Sequence, residues 1–288
     1  MRNYVIFADS ACDISRDLLN DWGVKYCSLS LTFSDDPKEY SDYEIPSHEF
    51  YEKMRNGALP KTSAVNTAKF CNAFESIVKD GFDILYLAFS SGLSATVDFA
   101  RQAADEIIGN YPESRILVVD SLCASAGYGL LVKLLVDKKN EGATIEQLAE
   151  YAENTKLHVT HWFTVDDLKY LKAGGRISAT TALLGGMLNI KPVMKVDENG
   201  KLISVSKARG RKAALKAIAE KYAETALDKK NGTVFISHGD CIDDANALAD
   251  MIRENSGATV NLITNIGPVI GSHSGPGTLA LFFLVEER

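Results

Sequence analysis

The sequence lacks most of the features that mark secreted, membrane-spanning or nucleic-acid-binding proteins. Its 288 residues include only five cysteines, scattered and never spaced as Cys-x-x-Cys, which indicates neither a disulfide framework nor a zinc site and favours a reducing compartment. A formal net charge of −7 argues against a general nucleic-acid binder. The apolar runs are too short to span a bilayer, and the run at residues 4–8 is too short for a secretory signal. We therefore expect a cytoplasmic protein with no integral membrane association.

Common catalytic motifs are missing as well. There is no Gly-x-x-x-x-Gly-Lys-Ser/Thr loop, and no Gly-x-Gly-x-x-Gly between the first predicted strand and its helix. Segment 92–95, Gly-Leu-Ser-Ala, lacks the last glycine of a nucleophile elbow. His158 and His161 are the only closely spaced histidines, and in a predicted strand their spacing puts the two rings on opposite faces. These motifs therefore predict no nucleotide site and no metal site.

The composition that remains, 46% hydrophobic and 24% charged residues, is typical of a globular protein. Apolar runs at residues 4–8, 24–33, 82–89 and 115–119 alternate with helical patterns, which predicts a mostly parallel sheet with helices on both faces. Later in the chain Asn199-Gly200 predicts an antiparallel hairpin between strands 192–196 and 202–206. We predict an α/β fold of two domains, an N-terminal α/β domain at residues 1–156 and a C-terminal mixed α+β domain at 157–288, with a ligand cleft between them.

Segment 271–277, Gly-Ser-His-Ser-Gly-Pro-Gly, is the strongest local signal in the chain. It lies between two predicted strands, 259–266 and 278–285, and its three glycines allow the backbone to approach a ligand closely. Such a loop offers N–H and O–H donors to a small anionic group, and His273 could add a charge that responds to its environment. The alternative is a glycine-rich turn between two strands.

Hydroxyl side chains recur where predicted strands end. Ser10, Thr62-Ser63, Ser90-Ser91 and Ser121 follow or approach apolar runs, and in an open α/β sheet ligands bind outside the carboxyl ends of the strands. We therefore expect these hydroxyls to share one edge of the sheet. Taken singly, each could instead cap a helix or stabilise a turn, and Ser94 is predicted to be such a cap.

Two charged features complete the candidates. Arg176 follows a Gly-Gly pair and could reach a carboxylate with its planar guanidinium, although a structural ion pair explains it equally well. Lys207, Arg209, Arg211 and Lys212 form a basic cluster that we expect to be exposed, either as a docking patch for an acidic partner or as the solvated start of a helix.

A series of motifs, in this order, resembles the DegV family of bacterial lipid-binding proteins. The motifs span nearly the whole chain; Ala95 stands where the family usually has glycine, and Ala173 where it often has a basic residue. The segments that carry the resemblance are Asp9-Ser10 with Asp13; Pro60-Lys61-Thr62-Ser63; Ser90-Ser91-Gly92-Leu93-Ser94; Val119-Asp120-Ser121 with Ser125 and Gly127; residues 167–177; Ile190-Lys191-Pro192; and residues 271–277.

The resemblance implies a carrier that holds one long-chain fatty acid between its domains and has no catalytic machinery or cofactor of its own. The carboxylate would be met by Thr62, Ser63 and Ser91, with His273 and Arg176 nearby, while the tail would run into the apolar core of the second domain. Further candidates for the ligand site are Ser90, Ser10, Ser274 and Gly186, the last in a predicted helix at residues 179–188 that combines apolar and small side chains.

In the family's best-understood members the bound acid is presented to a separate ATP-dependent fatty-acid kinase, which forms an acyl-phosphate for phospholipid synthesis. On this interpretation ATP and magnesium belong to the kinase, and Arg209 and Arg211 are the candidate docking residues. The alternative is an enzyme in its own right, either a hydrolase using Ser91 with His273 or a phosphotransfer domain using His238.

Overall fold

The computed structural model describes residues 2–178 and 189–288. Their strands are, in chain order, β1 Tyr4–Asp9, β2 Lys25–Cys27, β3 Ser30–Phe33, β4 Asp36–Ser41, β5 Lys61–Ser63, β6 Asp83–Ala88, β7 Ile116–Asp120, β8 Val159–Thr164, β9 Ile190–Val196, β10 Leu202–Arg209, β11 Phe235–His238, β12 Leu262–Asn265 and β13 Leu279–Leu284. Their helices are α1 Arg16–Asp21, α2 Ser47–Arg55, α3 Thr67–Lys79, α4 Thr96–Asn110, α5 Ser125–Asn140, α6 Ile145–Thr155, α7 Lys169–Ala173, α8 Arg211–Thr225, α9 Ile242–Ser256 and α10 Pro268–Ser274.

The first half of the chain forms a parallel sheet, as its alternating pattern predicts. The strand order is β2-β1-β6-β7, and every pair is parallel. Strand β6 is buried at all six positions, which is why it forms a nearly continuous apolar run and not an alternating one. Helices α3, α4, α5 and α6 flank this sheet. The predicted α/β class is therefore confirmed.

The second half forms a mixed sheet of six strands in the order β10-β9-β8-β13-β11-β12. Its β9–β10 hairpin is the one that Asn199-Gly200 predicts, and Gly200 takes a φ of +70° in the turn, a conformation that glycine adopts without strain. One face of the sheet packs Trp162, Leu281 and Phe283 into a cluster with α8 and α9. The other face joins a second cluster that also contains side chains of the parallel sheet.

A small antiparallel sheet, in the order β4-β3-β5, was not predicted. The predicted single strand at 24–33 is two strands in two different sheets, and residues 61–63, for which no strand was predicted, form β5. Strand β4 is mostly polar and β5 pairs with a segment about thirty residues away, so neither has the local apolar pattern on which strand prediction depends. The pairing sets Thr62 opposite Leu31.

The predicted glycine-rich loop is also corrected, because residues 268–274 form helix α10. Pro268 occupies its first turn. The backbone N–H groups there have no acceptor within the helix, so a residue without an N–H loses no helical hydrogen bond. Two buried carboxyls bond the amides at its start: Asp13 Oδ1 accepts from Gly267 N at 2.9 Å and Asp42 Oδ1 from Val269 N at 2.7 Å. His273 therefore projects from the last turn of a short, anchored helix. Within residues 2–178 and 189–288, no helix has the length and apolarity needed to cross a membrane.

Candidate functional site

A cavity of about 300 Å³ lies against one face of the six-stranded sheet, where it is closed by helix α10, by strand β5 and by loop residues of the first half of the chain. Both halves of the chain contribute to its wall, as the predicted cleft requires. The lining is mostly apolar, and among the described residues Arg176 is its only charged side chain, because His273 and His161 are held neutral as shown below. The apolar lining residues include Leu29, Phe89, Leu93, Phe163, Leu171, Val196, Leu202, Ile266, Val269, Ile270, Ala280 and Phe282. The predicted tunnel residue Gly186 lies outside the described residues.

Thr62 and His273, both predicted site residues, meet in this lining. Strand β5 and helix α10 bring Thr62 Oγ1 to 2.8 Å from His273 Nε2. Burial first, and then the nearby Arg176 guanidinium, lower the pKa of His273 to about 4. The imidazole is therefore neutral at neutral pH, and the expected responsive charge on His273 is absent there.

The other nitrogen of His273 is pressed against the Gly174 backbone. Nδ1 is buried and has no hydrogen-bond partner within the described part of the chain. A Cβ on Gly174 would lie only 2.1 Å from this atom, so the first glycine of the Gly-Gly pair is required for close packing and not for flexibility.

Arg176 is partly buried beside His273 and bonds only carbonyl oxygens among the described residues. Its Nε donates to Leu93 O at 3.2 Å and its Nη1 donates to Gly174 O. Burial lowers the pKa of Arg176, but a guanidinium stays protonated in proteins. No acidic side chain within residues 2–178 and 189–288 pairs with it, so the alternative of a structural ion pair finds no support there. Such a cation is available to an external anion.

Five more hydroxyl side chains lie in the same lining: Ser63, Ser94, Ser125, Ser274 and Thr278. Ser63 is exposed, whereas the Ser274 hydroxyl is buried with no hydrogen-bond partner among the described residues. Ser94 Oγ accepts from Thr96 N at 3.2 Å, close to its predicted capping role, yet it also faces the cavity. The sequence did not predict that Ser94 lines the cavity, although Ser94 belongs to the same hydroxyl-rich run as Ser90-Ser91.

The structure places the remaining predicted hydroxyls outside the cavity lining. Ser91 is exposed, and its backbone N–H donates to Asp120 Oδ1 at 3.2 Å. Ser90 Oγ donates to Gly200 O at 2.9 Å and so ties this loop to the β9–β10 hairpin. Ser10 Oγ accepts from Leu29 N at 3.0 Å. Ser90 and Ser10 therefore stabilise loops around the cavity, and contact of any of the three with a ligand stays a prediction.

The basic cluster is only partly as expected. Arg209 is exposed at the end of β10. Arg211 was expected to be exposed and is not, because its side chain is only 20% exposed and its Nε lies 2.8 Å from Asp244 Oδ2. Its Nη1 lies 3.7 Å from Asp166 Oδ1. The acidic residues that bind Arg211 are distant in the sequence, Asp166 before it and Asp244 after it, so its burial could not be predicted from the cluster alone.

The residues of the rival enzyme hypothesis are not arranged as that hypothesis needs. His273 bonds Thr62 and not Ser91. His238 is buried at the end of β11, where its Nδ1 accepts from Cys241 N at 3.3 Å, and burial lowers its pKa. Neither histidine is therefore paired with the serine of the hydrolase alternative, and His238 is buried and bonded to the backbone.

His161 is a lining residue that the sequence did not indicate as part of this site. In the sequence, the only signal that His161 gives is its place in a predicted apolar strand. The ring is 2% exposed. Burial first, and then the Arg288 guanidinium, hold the pKa of His161 well below its usual value, so this side chain is also neutral.

Known proteins resemble this chain over its whole length. The family model for "uncharacterised protein, DegV family" matches residues 3–286. A DegV domain-containing protein of Clostridium perfringens is 43% identical over 100% of this chain and 99% of its own. A solved DegV family protein from Thermus thermophilus, described by its fatty acid binding, is similar with a TM-score of 0.88 and 32% identity over 99% of this chain and 100% of its own. A stearic-acid-binding protein from Eubacterium ventriosum has a TM-score of 0.89 and 25% identity, covering 98% of each chain.

Proposed function

Because the chain belongs to the DegV family, we propose that it binds a single long-chain fatty acid in the cavity, with the carboxylate beside Arg176, Thr62 and His273. The Thermus thermophilus and Eubacterium ventriosum proteins described above are fatty-acid-binding proteins with the same overall fold. The observation that carries the proposal is one cation, Arg176, without an acidic partner among the described residues, at an otherwise apolar cavity.

The apolar wall favours a long tail over a small polar anion. Burying ~14 methylenes at about 0.8 kcal/mol each is a gross gain on the order of 11 kcal/mol before the losses of association are subtracted. The tail therefore dominates affinity. The polar groups fix which end of the ligand faces Arg176, because a carboxylate buried without donors is strongly disfavoured.

The polar groups can supply several donors to one carboxylate. With the His273 proton on Nε2, the ring donates to Thr62 Oγ1, which leaves the Thr62 hydroxyl proton for a ligand oxygen. The Arg176 guanidinium supplies charge-assisted bonds. Ser63, Ser94 and Ser274 add hydroxyls from three different elements. Ser91, at the exposed rim, stays a candidate for a ligand that reaches out to it.

The carboxylate end is also the end that opens to solvent, since Ser63 and Ala95 both line the cavity and are exposed. On this proposal the chain has no catalytic machinery and presents the carboxylate there to a separate ATP-dependent fatty-acid kinase. The kinase forms the acyl-phosphate for phospholipid synthesis and holds the ATP and magnesium. Arg209 is the exposed candidate for its docking, and Arg211 is a weaker one because of its ion pairs.

Native mass spectrometry of the purified protein tests the binding proposal. We expect a single mass increment equal to one long-chain fatty acid, confirmed by extraction and lipid analysis. Arg176→Met should lose most of this increment, whereas Arg209→Met should keep it. Protein that carries no lipid and takes up none when fatty acid is added would refute fatty-acid binding, and an acylated serine or phosphohistidine would support the rival enzyme.

A further inference from the structure

One face of the six-stranded sheet forms a wall of the cavity that leads away from the head group. Thr278, Ala280 and Phe282 all line the cavity, as alternate residues on one face of a strand do. Thr278 Oγ1 donates to the Ser274 carbonyl at 2.9 Å, which places this end of the wall beside helix α10. Phe282 is four residues further on, roughly 13 Å at about 3.3 Å per residue.

His161 lies at the distant end of this wall. Strand β8 pairs with β13 so that Phe163 is opposite Ala280 and His161 is opposite Phe282. The His161 and Phe282 rings meet edge to face with centroids 5.3 Å apart. Their next neighbours on the same face of the sheet are Val159 and Leu284, which do not line the cavity. The two rings therefore form its end.

The His161 ring is fixed on the side of helix α5 and fully bonded. Nε2 accepts from Ala124 N at 3.2 Å, and Nδ1 lies 3.1 Å from Val159 O, to which it donates. A Cβ on Gly127 of α5 would lie 2.4 Å from Nε2 and 2.6 Å from a ring carbon of Phe282. The ring therefore has no room to move towards α5, and a neutral imidazole with both nitrogens satisfied can face an apolar tail.

Arg288 holds this arrangement from outside the cavity. Its guanidinium donates from Nη2 to Leu122 O at 2.8 Å and from Nη1 to Val159 O at 3.3 Å, and Nη1 lies 3.4 Å from His161 Nδ1. The side chain thus joins the turn before α5 to strand β8. Arg288 does not line the cavity.

We infer that His161 determines the length of acyl chain that the cavity accepts, and that Arg288 is a positioning residue that keeps His161 at the cavity end. The inference rests on the proposed function, since it concerns the tail of the same ligand. On this inference His161 and Phe282 form a rigid end wall of the cavity. Acids longer than the cavity are therefore rejected, because their last methylenes have no space.

The test is the affinity of delipidated protein for a homologous series of saturated fatty acids, measured by calorimetry. His161→Ala should move the optimum to longer acids, and each methylene that becomes buried is worth about fourfold in affinity. Gly127→Ala should push the His161 and Phe282 rings into the cavity and move the optimum chain length to shorter acids. His158→Ala is the matched control, because His158 bonds Val285 O at 3.1 Å but does not line the cavity, and its optimum should be that of the wild type.

Arg288→Met tests the positioning role. In the wild-type background, Arg288→Met should reduce the ratio of the affinity for the preferred acid to the affinity for the next longer acids. In the His161→Ala background it should have no further effect on this ratio. An equal effect in both backgrounds would show that Arg288 does not act through His161.

An unchanged optimum in folded His161→Ala and Gly127→Ala proteins would overturn the inference while leaving fatty-acid binding intact. If His161→Ala does not fold, the smaller change His161→Asn, which leaves Phe282 in place, decides instead, since Gly127→Ala displaces both rings. Wild-type protein that binds no member of the series would instead refute the proposed function on which the inference rests.

Discussion

Thr62 and His273 are 211 residues apart in the chain, yet the Thr62 hydroxyl and the His273 Nε2 lie 2.8 Å from each other in the cavity wall. The contact joins the small antiparallel sheet to helix α10, and Arg176 lies close enough to lower the pKa of His273. Three predicted site residues from distant segments thus converge on one end of an apolar cavity. The predictions below test what this convergence does.

Arg176→Met should weaken fatty-acid binding by roughly 10- to 100-fold, because a hydrogen bond to a charged group contributes about 1.5–3 kcal/mol. The affinity for the fatty alcohol of the same length should change little, since an alcohol has no charge to pair. Calorimetry with both ligands measures the difference. A matched loss for acid and alcohol would mean that Arg176 shapes the cavity and does not recognise the carboxylate.

Thr62→Val keeps the shape of the side chain and removes its hydroxyl. We expect a loss of roughly tenfold in fatty-acid affinity, the size expected for one hydrogen bond. The thermal midpoint of the unliganded protein should fall as well, because the His273 Nε2–H loses its acceptor. Thr67→Val is the control, because Thr67 Oγ1 bonds Gln102 on the exposed surface, 3.1 Å away. Equal affinities for wild type and Thr62→Val would remove Thr62 from the head-group site.

The pH dependence of stability should carry a contribution from His273. Its pKa is lowered from 6.5 to about 4 on folding, so between these values the unfolded state binds more protons than the folded state. The contribution to stability is therefore complete above pH ~6.5 and is lost as pH falls towards 4. As pH falls from ~6.5 to ~4, the free energy of unfolding, measured by denaturant titration, should fall less for His273→Gln than for wild type. Parallel curves for the two proteins would contradict the buried, neutral assignment.

Asp42 should act in the opposite direction. Burial raises its pKa from 3.8 to about 7, so between these values the folded state binds more protons than the unfolded state. Its contribution to stability is therefore complete below pH ~4 and is lost as pH rises through 7. Asp42→Asn keeps an acceptor for the Val269 N–H. We expect it to lose less stability than wild type as pH rises from ~4 to ~7, and a steeper loss in the variant would contradict this account.

Arg209→Glu should leave lipid content and thermal stability close to wild type but weaken acyl-phosphate formation with the proposed kinase, most strongly at low salt, where charges are least screened. Arg211→Glu should instead lower stability, because it places a negative charge beside Asp244 and Asp166. Arg253→Glu, also exposed, is the charge-matched control. Equal kinase-dependent turnover for Arg209→Glu and wild type across a salt series would exclude Arg209 as a docking residue.

The sequence predicted the parts of the fold that have local patterns. The buried run of β6 and the Asn199-Gly200 turn can each be recognised from a few consecutive residues. Strands β4 and β5 do not, since they contain no buried residue and form by pairing with β3. Helix α10 was missed because its glycines predict a turn, whereas Asp13 and Asp42, which anchor its start, are more than two hundred residues away.

The candidate site likewise contains residues that the sequence predicts and residues that it does not. Thr62, Ser63, Arg176 and His273 were predicted and share the cavity lining, because each follows or approaches a recognisable strand end or glycine motif. His161 was missed because only the register between β8 and β13 reveals that it faces the same cavity. Arg211 was misplaced because burial by an ion pair depends on Asp244, which no local pattern connects to it.

The most direct test of the central claim is a crystal structure of the protein loaded with a long-chain fatty acid. We expect the carboxylate within hydrogen-bonding distance of the Arg176 guanidinium and the Thr62 hydroxyl, and the tail running along Ala280 towards the His161 and Phe282 rings. A carboxylate found at the His161 end, or a fatty acid bound outside this cavity, would contradict the account.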